Sequence, residues 1–476
     1  MSRLVCVSNR ISLPRRHAAP GGLAVGILSA LKHTGGLWFG WGGETSDREP
    51  AEPEIHIRDG VTYATIDLKR RDFDRYYNGY SNEVLWPLFH DLPGRCNFDP
   101  GTFPVYRAAN RKFVERIVAR TTPDDYVWVQ DYHLMLVADE MRAAGSARRA
   151  GFFLHIPFPP LDVFMKLPWR FQILRGLLAY DLLGLQTVRD LRNLLDCLRT
   201  LVPVARVASR RTAATVEVNG RELRLGAFPI GIDQRRFSSG ARSRPVEERA
   251  WYIHEDLPER KLILGVDRLD YTKGIPERIR ALGRALERYP ELRGNVTFIQ
   301  VVVPSREDVP EYAQLKREIE RLVGQVNGRF TQSGWTPIHY IYRSLEWEEL
   351  LAYYRTCEVA FVTPLKDGMN LVAKEYCACS LDDGVLVLSE FAGVAGQFRN
   401  GALLVNPFDV DGMADALQRA LTMEPAERRS RMRRLRRNVA RQNVFWWVDA
   451  FLGAAIASDL SLFPQVEHFV PQLAVG

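Results

Sequence analysis

Short apolar runs that alternate with helix-like stretches constrain the fold of this chain more than any other feature. The runs are Leu4–Ser8, Trp38–Trp41, Tyr63–Leu68, Tyr126–His133, Gly151–Pro160, Lys261–Gly274, Val296–Asp308, Val359–Thr363, Gly384–Gly393 and Ala402–Asp409. Strands that alternate with helices build parallel sheets. An even βα barrel fits poorly, because a predicted hairpin at Asn219-Gly220 and a polar stretch, Arg235–Glu248, break the rhythm. The pattern therefore predicts an α/β protein.

The length of the chain divides this pattern between two domains. Its 476 residues exceed what one ordinary hydrophobic core organises. The second half restarts its strand and helix rhythm after the polar stretch that follows FPIGID. We therefore expect two doubly wound domains, 1–232 and 233–449.

Composition restricts the class of partner. Hydrophobic residues make up 46% and charged residues 25%, as in ordinary globular proteins. The net charge of +7 suits either nucleic acid or an anionic small substrate. No basic and aromatic residues interleave as in an RNA-binding motif, and the densest basic run, Arg428–Arg441, is typical of a solvated helix face. We expect small-molecule substrates and no nucleic acid.

The cysteines and the apolar runs indicate a compartment. The six cysteines are scattered without a CxxC pair, which favours reduced core residues. MSRLVCVSNR at the N-terminus is a strand pattern and not a signal peptide. No apolar run approaches the roughly 18 residues that a membrane span needs. The sequence thus predicts a cytoplasmic protein with no membrane partner.

One strand-to-helix loop carries the clearest chemical signal, PLKDGMNLVAKEY at Pro364–Tyr376. Asn370 is a suitable N-cap, and a helix that begins there offers the N–H groups of Leu371 and Val372 to an anion. Glu375 comes just inside this helix, where a carboxylate can accept two hydrogen bonds from a vicinal diol such as that of ribose. The competing interpretation is a plain turn followed by a solvated first-turn acid.

Charged residues repeatedly follow the predicted strands. They are Arg10, Asp131, His155, Arg268, Lys273, Arg306 and Asp367. Carboxyl ends of parallel strands share one sheet edge, so these side chains would face one crevice if two sheets met edge to edge. Arg268 and Lys273 near a helix start suit a pyrophosphate leaving group. Each residue also has a structural alternative, such as a hydrogen-bonded core histidine for His155.

Several motifs of other enzyme classes are missing from the sequence. There is no GxxxxGK[ST] loop and no GxGxxG fingerprint, which disfavours P-loop ATPases and ordinary dehydrogenases. No HExxH or clustered His/Cys set predicts a metal, and no GxSxG elbow predicts a serine hydrolase. We expect no cofactor and no metal.

Taken together, the motifs resemble one family. In chain order they are SNR, GGLAVGI, GLWFGW, YYNGYSN, LWPLFH, DYHL, FFLHIPFP, DRLDYTKG, PSRED, GWTP and DGMNLVAKE. This set closely resembles the trehalose-6-phosphate synthase family of retaining glycosyltransferases, and the resemblance extends to about Ala450. It implies a GT-B fold, with two Rossmann-like domains facing across a deep cleft. It also implies that a C-terminal helix, 450–476, packs back on the first domain.

The resemblance implies an activity. Glucose would pass from a nucleoside-diphosphate glucose, usually UDP-glucose, to C1 of glucose 6-phosphate with retention, giving trehalose 6-phosphate and the nucleoside diphosphate. Family members are thought to react on one face of the sugar, with the leaving phosphate oxygen taking the acceptor's proton. Such an enzyme serves trehalose biosynthesis and osmoprotection. We expect a homo-oligomer, a dimer or tetramer.

The resemblance also implies roles by motif position. Binding of glucose 6-phosphate falls to Arg10, Trp41, Tyr77, Trp86, Asp131 and Arg306. Donor binding falls to Gly21, Gly22, His155, Arg268, Lys273, Leu345, Asp367, Gly368, Met369, Asn370, Leu371, Val372 and Glu375. The residues implied as catalytic are Asp131, His155, Arg268, Lys273 and Asp367.

Two departures from the family pattern leave alternatives open. Gln130 precedes DYH where relatives often have histidine, and Leu345 stands where an aromatic residue near the base is common. The second keeps GDP- and ADP-glucose open as donors. Rival functions are a sibling transferase, such as a glucosylglycerol-phosphate synthase or a pseudoglycosyltransferase, and a non-catalytic sugar-phosphate sensor. The presence of Arg268, Lys273 and Glu375 counts against the sensor.

Overall fold

The structure is a computed structural model that describes residues 3–11, 22–47, 52–257, 259–306, 309–381, 383–457 and 459–471. Its internal contacts divide the chain into two compact units. Unit 1 comprises Met1–Ile230 and Val444–Val466, and unit 2 comprises Gly231–Asn443 and Glu467–Gly476.

Unit 1 is built on a ten-stranded sheet. Its strands are β1 Leu4–Arg10, β2 Leu37–Ser46, β3 Glu54–Arg58, β4 Val61–Lys69, β5 Tyr126–Gln130, β6 Ala150–Phe153, β7 Leu182–Leu185, β8 Arg206–Ser209, β9 Ala213–Val218 and β10 Arg221–Ala227. The order is β3-β4-β2-β1-β5-β6-β7-β10-β9-β8. The strands that lie from β4 to β10 along this order are parallel to one another. The chain departs from β1 first to one side and later to the other, so a topological switch point lies between β1 and β5.

Both ends of this sheet are antiparallel, and the end formed by β10, β9 and β8 contains the predicted hairpin. Asn219 and Gly220 join β9 to β10, with φ values of 51° and 74°. Two consecutive positive φ angles define the type I′ turn, which matches the twist of the strands and favours Asn-Gly. The predicted hairpin is confirmed.

Helices cover the sheet of unit 1. They are α1 Gly22–Thr34, α2 Arg70–Phe73, α3 Trp86–Phe89, α4 Thr102–Val118, α5 Val137–Ala143, α6 Leu161–Phe164, α7 Arg170–Leu178 and α8 Val188–Leu201. Between α2 and α3 the chain continues as a π-helix, Asp74–Leu85, in which the Trp86 amide donates to the Ser81 carbonyl five residues earlier. Such wide turns are rare and frequent at functional sites.

Unit 2 has a six-stranded parallel sheet and nine of the described helices. The strands are β11 Lys261–Arg268, β12 Val296–Val303, β13 Ile338–Tyr342, β14 Val359–Val362, β15 Val385–Ser389 and β16 Leu403–Val405. The helices are α9 Gln234–Gly240, α10 Arg244–Asp256, α11 Ile275–Arg288, α12 Pro310–Phe330, α13 Trp347–Thr356, α14 Leu371–Cys379, α15 Ala395–Phe398, α16 Val410–Thr422 and α17 Pro425–Arg441.

The strand order in unit 2 is that of a Rossmann sheet. The order β13-β12-β11-β14-β15-β16 corresponds to 3-2-1-4-5-6, with all neighbours parallel. The crossover helix α11 shows why these residues fold so: Ile275, Ile279, Leu282 and Leu286 recur at helical spacing and are buried. In a sheet of this order, ligands bind beyond the carboxyl ends at the switch point, here between β11 and β14.

The last helix, α18 Val444–Ile456, returns to unit 1. Trp447 lies 5.1 Å from Trp128 of β5 between ring centroids, and Phe451 stacks on Trp128 at 4.7 Å. Both tryptophans are fully buried. The buried Arg224 of β10 donates to the carbonyls of Ala454 and Ala455, at 3.0 and 3.3 Å, and so holds the carboxyl end of α18.

The α/β class and the doubly wound sheets predicted from the sequence are confirmed, with corrections in detail. Strands β3, β7 and β13 were missed. Strands β3 and β13 are short and not fully buried, and β7 has only four residues. The polar stretch Arg235–Glu248, which was predicted to follow the domain boundary, lies mostly in α9 and α10. The segment that returns to unit 1 is Val444–Val466, whereas the resemblance implied about 450–476. Which unit binds acceptor and which binds donor stays a prediction.

The basic run in α17 faces solvent for the most part, as expected. Arg429, Arg433, Arg434 and Arg437 are exposed, while Met432, Leu435 and Val439 are buried at helical spacing. Arg428, however, is buried and donates to the Asp383 carbonyl at 2.6 Å.

We predict that Arg224→Met loosens α18. A buried guanidinium at a helix C-terminus satisfies free carbonyls and offsets the helix dipole, so its loss costs about 3 kcal/mol. Hydrogen exchange of the α18 amides should accelerate, and the thermal midpoint should fall. Arg206→Met, at an exposed position in β8, is the control and should change neither. Unchanged exchange in α18 for Arg224→Met would contradict this account.

Candidate active site

In unit 1, the predicted polar residues gather at one edge of the sheet. Arg10 is the last residue of β1, Asp131 follows β5, and His155 follows β6 by one residue. These three strands are adjacent and parallel, so their carboxyl ends lie at the same edge. This edge includes the switch point between β1 and β5.

A bulge sets the position of Arg10. The register between β1 and β2 shifts between Ser8 and Arg10, which places Arg10 opposite Trp41. The guanidinium carbon of Arg10 lies 5.5 Å from the centroid of the Trp41 ring. Bulges redirect a side chain at a strand end, and an aromatic face attracts a guanidinium. Arg10 is thus an exposed cation held against an aromatic surface.

A row of rings continues from Trp41 along the same edge. Tyr77, from the π-helix, lies 6.3 Å from Trp41 and stacks on His133 at 5.4 Å with an interplanar angle of 7°. His133 lies 3.9 Å from Tyr132, and Tyr132 lies 5.8 Å from Trp86. Contacts therefore connect the predicted acceptor residues Arg10, Trp41, Tyr77 and Trp86 through two rings that follow Asp131.

Asp131 has a strained backbone. Its φ and ψ of 73° and 166° fall in a region that is nearly restricted to glycine. Its amide donates to the Phe153 carbonyl at 2.7 Å, and its Oδ1 accepts from the His155 amide at 3.2 Å. These bonds join the ends of β5 and β6 and hold the carboxylate at the sheet edge. Strain of this kind persists where the surroundings impose it, most often at functional sites.

His155 is a neutral imidazole between two glutamines. Its Nε2 lies 3.0 Å from Gln130 Oε1, and its Nδ1 lies 3.4 Å from Gln186 Nε2. Burial lowers the pKa of His155 to about 3. At neutral pH this ring therefore carries no charge and acts through hydrogen bonds alone.

In unit 2, an ion pair bridges the switch point. Lys273, in the 3-10 turn Tyr271–Lys273 after β11, lies 2.6 Å from Asp367 after β14, measured from Nζ to Oδ2. Burial opposes the charge of Lys273, but Asp367 and Asp270 raise its pKa above the ordinary value. Lys273 is thus a fixed cation at the edge where a Rossmann sheet binds its ligand.

Three predicted cations surround Asp270. This aspartate is buried and accepts from the Thr272 amide at 3.0 Å, and Arg268 Nη2 lies 3.6 Å from its Oδ2. Burial favours the neutral acid, but the charges of Arg268, Lys273 and Arg306 together lower the pKa of Asp270 below its ordinary value. Because Asp270 carries one negative charge against three positive ones, the group is positive overall.

The loop after β14 presents a helix start beside these cations. Asp367 accepts from the Met369 amide at 3.4 Å and from the Asn370 side chain at 3.2 Å. Asn370 is the N-cap of α14 and accepts from the Ala373 amide at 3.0 Å, as predicted. Leu371 and Val372 are the first two helical residues, whose N–H groups have no acceptor within a helix. Free N–H groups at a helix start, with a cation such as Lys273 close to the same loop, are the kind of groups that can bind an anion.

Glu375 is positioned one turn into α14. The hydroxyl of Tyr354, from α13, donates to its Oε2 at 2.9 Å. Burial raises the pKa of Glu375 to about 7, although the bond from Tyr354 opposes this. Because this carboxylate is costly to ionise, hydrogen bonds donated by a diol would stabilise its charged form.

The structure distributes the remaining predicted residues as follows. Arg306 lies in unit 2, after β12, where it donates to the Tyr312 hydroxyl at 2.5 Å, whereas the other residues assigned to the acceptor lie in unit 1. Leu345 is half-buried between β13 and α13. Gly368 precedes Met369 in the loop after β14. Gly22 begins α1, and Gly21 lies outside the described residues.

Sequence inspection missed several residues that build these sites. Asp270 lies inside the quoted DRLDYTKG motif, so the motif itself contained a signal. Gln186, Tyr312 and Tyr354 stand in unremarkable sequence and reach the site only through the fold. Among the described residues, no group of three or more His, Cys, Asp or Glu side chains is arranged to hold a metal.

The chain matches the model of glycosyltransferase family 20 over residues 8–456. The chain belongs to glycosyltransferase family 20. It is 42% identical, over 95% of its length and 94% of the relative's, to trehalose-6-phosphate synthase of Escherichia coli strain K12 / DH10B. No helix among the described residues is long and apolar enough to span a membrane.

Solved structures of this family share the fold. The alpha,alpha-trehalose-phosphate synthase (UDP-forming) from Burkholderia vietnamiensis is 41% identical with a TM-score of 0.91, covering 96% of this chain and 98% of its own. The Burkholderia xenovorans enzyme in complex with glucose-6-phosphate is 42% identical with a TM-score of 0.89, covering 96% and 100%. The E. coli protein bound with UDP-2-fluoro glucose is 40% identical with a TM-score of 0.90, covering 95% and 99%. The predicted GT-B class is confirmed.

We predict that Asp131→Gly is more stable than Asp131→Ala. Both substitutions remove the carboxylate, but only glycine adopts φ of 73° without strain. The difference in free energy of unfolding should be about 1–3 kcal/mol. Urea unfolding monitored by tryptophan fluorescence measures it. Equal stabilities would mean that the backbone at Asp131 relaxes and is not held in this conformation.

We predict that Glu375 makes stability depend on pH. Its folded pKa of about 7 lies above the ordinary value of 4.5, so folding takes up a proton between these values. The free energy of unfolding of the wild type should therefore fall as pH rises from about 4.5 to about 7, by at most about 3 kcal/mol, and then stay level.

Glu375→Gln removes this contribution. Unfolding in urea is measured at pH 5 and pH 8. The free energy of unfolding of the variant, relative to that of the wild type, should be higher at pH 8 than at pH 5. Glu222→Gln, at an exposed position in β10, serves as the charge-matched control. A relative gain no larger than that of the control would contradict the raised pKa.

Proposed function

We propose that this family 20 glycosyltransferase transfers glucose from UDP-glucose to glucose 6-phosphate with retention, releasing UDP and trehalose 6-phosphate. The observation that carries the proposal is the match over nearly the whole chain to trehalose-6-phosphate synthases at 40–42% identity. One such relative is in complex with glucose-6-phosphate, and another is bound with UDP-2-fluoro glucose. The enzyme supplies trehalose biosynthesis.

The chemistry of unit 2 supports a nucleotide-sugar donor. A diphosphate brings negative charge, which the cations Arg268 and Lys273 and the amides at the start of α14 would stabilise as the sugar bond breaks. Glu375 would accept hydrogen bonds from the ribose hydroxyls. These groups are fixed before a substrate arrives, which lowers the cost of reorganisation in the transition state.

The chemistry of unit 1 supports a sugar-phosphate acceptor. Arg10, held against Trp41, would bind the phosphate, and Tyr77 and Trp86 would line the sugar. Asp131 would accept hydrogen bonds from acceptor hydroxyls and thereby orient the attacking oxygen. His155 is neutral and partly buried, and it would contact the donor glucose without acting as a general base. Positioning and charge stabilisation then carry the reaction.

The proposal is tested by product release. The purified protein is incubated with glucose 6-phosphate and, separately, with UDP-, GDP- or ADP-glucose, and nucleoside diphosphate is followed without added metal. We expect UDP release that requires glucose 6-phosphate. Release with GDP- or ADP-glucose alone would replace the donor in this proposal. No release with any donor would reject the reaction, and other phosphorylated acceptors would then test the sibling transferases.

We predict that Arg10→Met selectively weakens binding of the acceptor. Loss of one charge-assisted bond to phosphate, worth about 1.5–3 kcal/mol, should raise KM for glucose 6-phosphate roughly 10- to 100-fold. The Kd of UDP should stay unchanged, since Arg10 is assigned to the acceptor phosphate and not to the nucleotide. Arg206→Met is the control. An unchanged KM for glucose 6-phosphate would remove Arg10 from the acceptor site.

Two further expectations stay predictions. The homo-oligomer, a dimer or tetramer, is checked by light scattering coupled to size-exclusion chromatography. The cytoplasmic location is checked by fractionation of the source cells. Neither affects the assignment of the reaction.

A further inference from the structure

A continuous chain of hydrogen bonds passes through His155. The Ile230 amide donates to Gln186 Oε1 at 3.0 Å. Gln186 Nε2 lies 3.4 Å from His155 Nδ1, and His155 Nε2 lies 3.0 Å from Gln130 Oε1. Both glutamines are buried. All four residues belong to unit 1.

The direction of this chain is fixed at one end. A backbone N–H only donates, so the atom of Gln186 that faces Ile230 is the carbonyl oxygen. The Gln186 amide nitrogen, also only a donor, then faces Nδ1 of His155, which must be the unprotonated acceptor. The proton of the neutral ring therefore lies on Nε2 and is donated to Gln130 Oε1.

The same polarity excludes a charged ring. In an imidazolium both nitrogens donate, so Nδ1–H would point at the N–H of Gln186. The ring also packs against aromatic side chains: Phe153 lies 4.7 Å and Trp447 5.9 Å from it between centroids. The nearby carboxylate of Asp131 accepts from the His155 backbone amide at 3.2 Å. Burial, which lowers the pKa of His155 to about 3, acts in the same direction.

We propose that Gln130 and Gln186 are positioning residues that hold His155 in its neutral Nε2–H tautomer, with Nδ1 as a hydrogen-bond acceptor toward the donor sugar. The ligand in this statement rests on the proposed function, whereas the tautomer does not. The contact of 3.4 Å between Gln186 Nε2 and His155 Nδ1 is a long hydrogen bond, so a sugar hydroxyl can replace it at Nδ1 while the bond from Nε2–H to Gln130 keeps the tautomer. That hydroxyl must donate.

Glutamine suits this role better than a titratable residue would. Neither amide gains or loses a proton near neutral pH, so the direction of the chain does not change between pH 5 and pH 9. A sugar that meets His155 therefore finds the same acceptor over this range. Gln130 acts through His155 and does not itself contact the substrate in this account.

Nuclear magnetic resonance tests the tautomer directly. In protein labelled with ¹⁵N-histidine, the ring signals of His155 are assigned by their loss in His155→Gln. We expect an unprotonated Nδ1 and a protonated Nε2, unchanged from pH 6 to pH 8. Protonation of Nδ1 in the wild type, in either the neutral or the charged ring, would overturn the proposal.

Reversal of the polarity gives a second spectroscopic test. In Gln186→Glu one oxygen still accepts from the Ile230 amide, while the other faces Nδ1 as an acceptor. We expect Nδ1 to become protonated in this variant. An unprotonated Nδ1 there would show that Gln186 does not set the tautomer. Because these spectra need no turnover, they remain decisive even if the transferase assay fails.

Kinetics test the positioning role. Gln130→Met keeps the volume but removes the acceptor for Nε2–H, so kcat/KM for UDP-glucose should fall about tenfold while the Kd of UDP changes less than about twofold. Gln397→Met, a buried glutamine in unit 2, is the matched control and should change neither. An unchanged kcat/KM in Gln130→Met, or an equal loss of UDP affinity, would remove Gln130 from the positioning role.

Discussion

The carboxyl edge of the sheet in unit 2, where Lys273 and Asp367 lie, depends on one buried guanidinium. Arg278, which is fully buried in α11, pairs with Asp267 of β11 at 2.6 Å. It also donates to the Thr363 hydroxyl at 3.1 Å and to the Lys273 carbonyl at 3.2 Å. One side chain thus fixes the end of β11, the turn that carries Lys273 and the chain after β14.

This arrangement costs free energy that the surrounding structure must offset. Burial raises the pKa of Asp267 even though Arg278 stands beside it, which shows how strongly the interior opposes charge. The turn also requires glycine at position 274. There φ is 63°, and a Cβ would lie 2.2 Å from the Thr363 carbonyl oxygen. Removal of either partner would leave an uncompensated buried charge, so the network is retained as a whole. The network thereby fixes the positions of the cations at this edge before an anion binds.

The sequence predicted the strand ends well and the side-chain environments poorly. The N-cap at Asn370, the hairpin at Asn219-Gly220 and the polar residues after strands follow from local chemistry, which a single chain segment contains. The backbone strain at Asp131 and the glutamines around His155 depend on contacts between segments far apart in the chain. Periodicity cannot register such contacts, since it reports only which face of an element is apolar. Strand β13 was missed for a related reason: its side chains are half-buried and lack an uninterrupted apolar run.

The return of α18 to unit 1 has a consequence for biosynthesis. Trp447 and Phe451 complete the core beneath Trp128, yet the ribosome makes them only after Gly231–Asn443, the larger segment of unit 2. Unit 2 can therefore complete its Rossmann sheet early. The sheet of unit 1 keeps an apolar face exposed while more than two hundred residues are synthesised. The sheet that is made first is therefore covered last. During that interval its exposed surface is a natural client for chaperones.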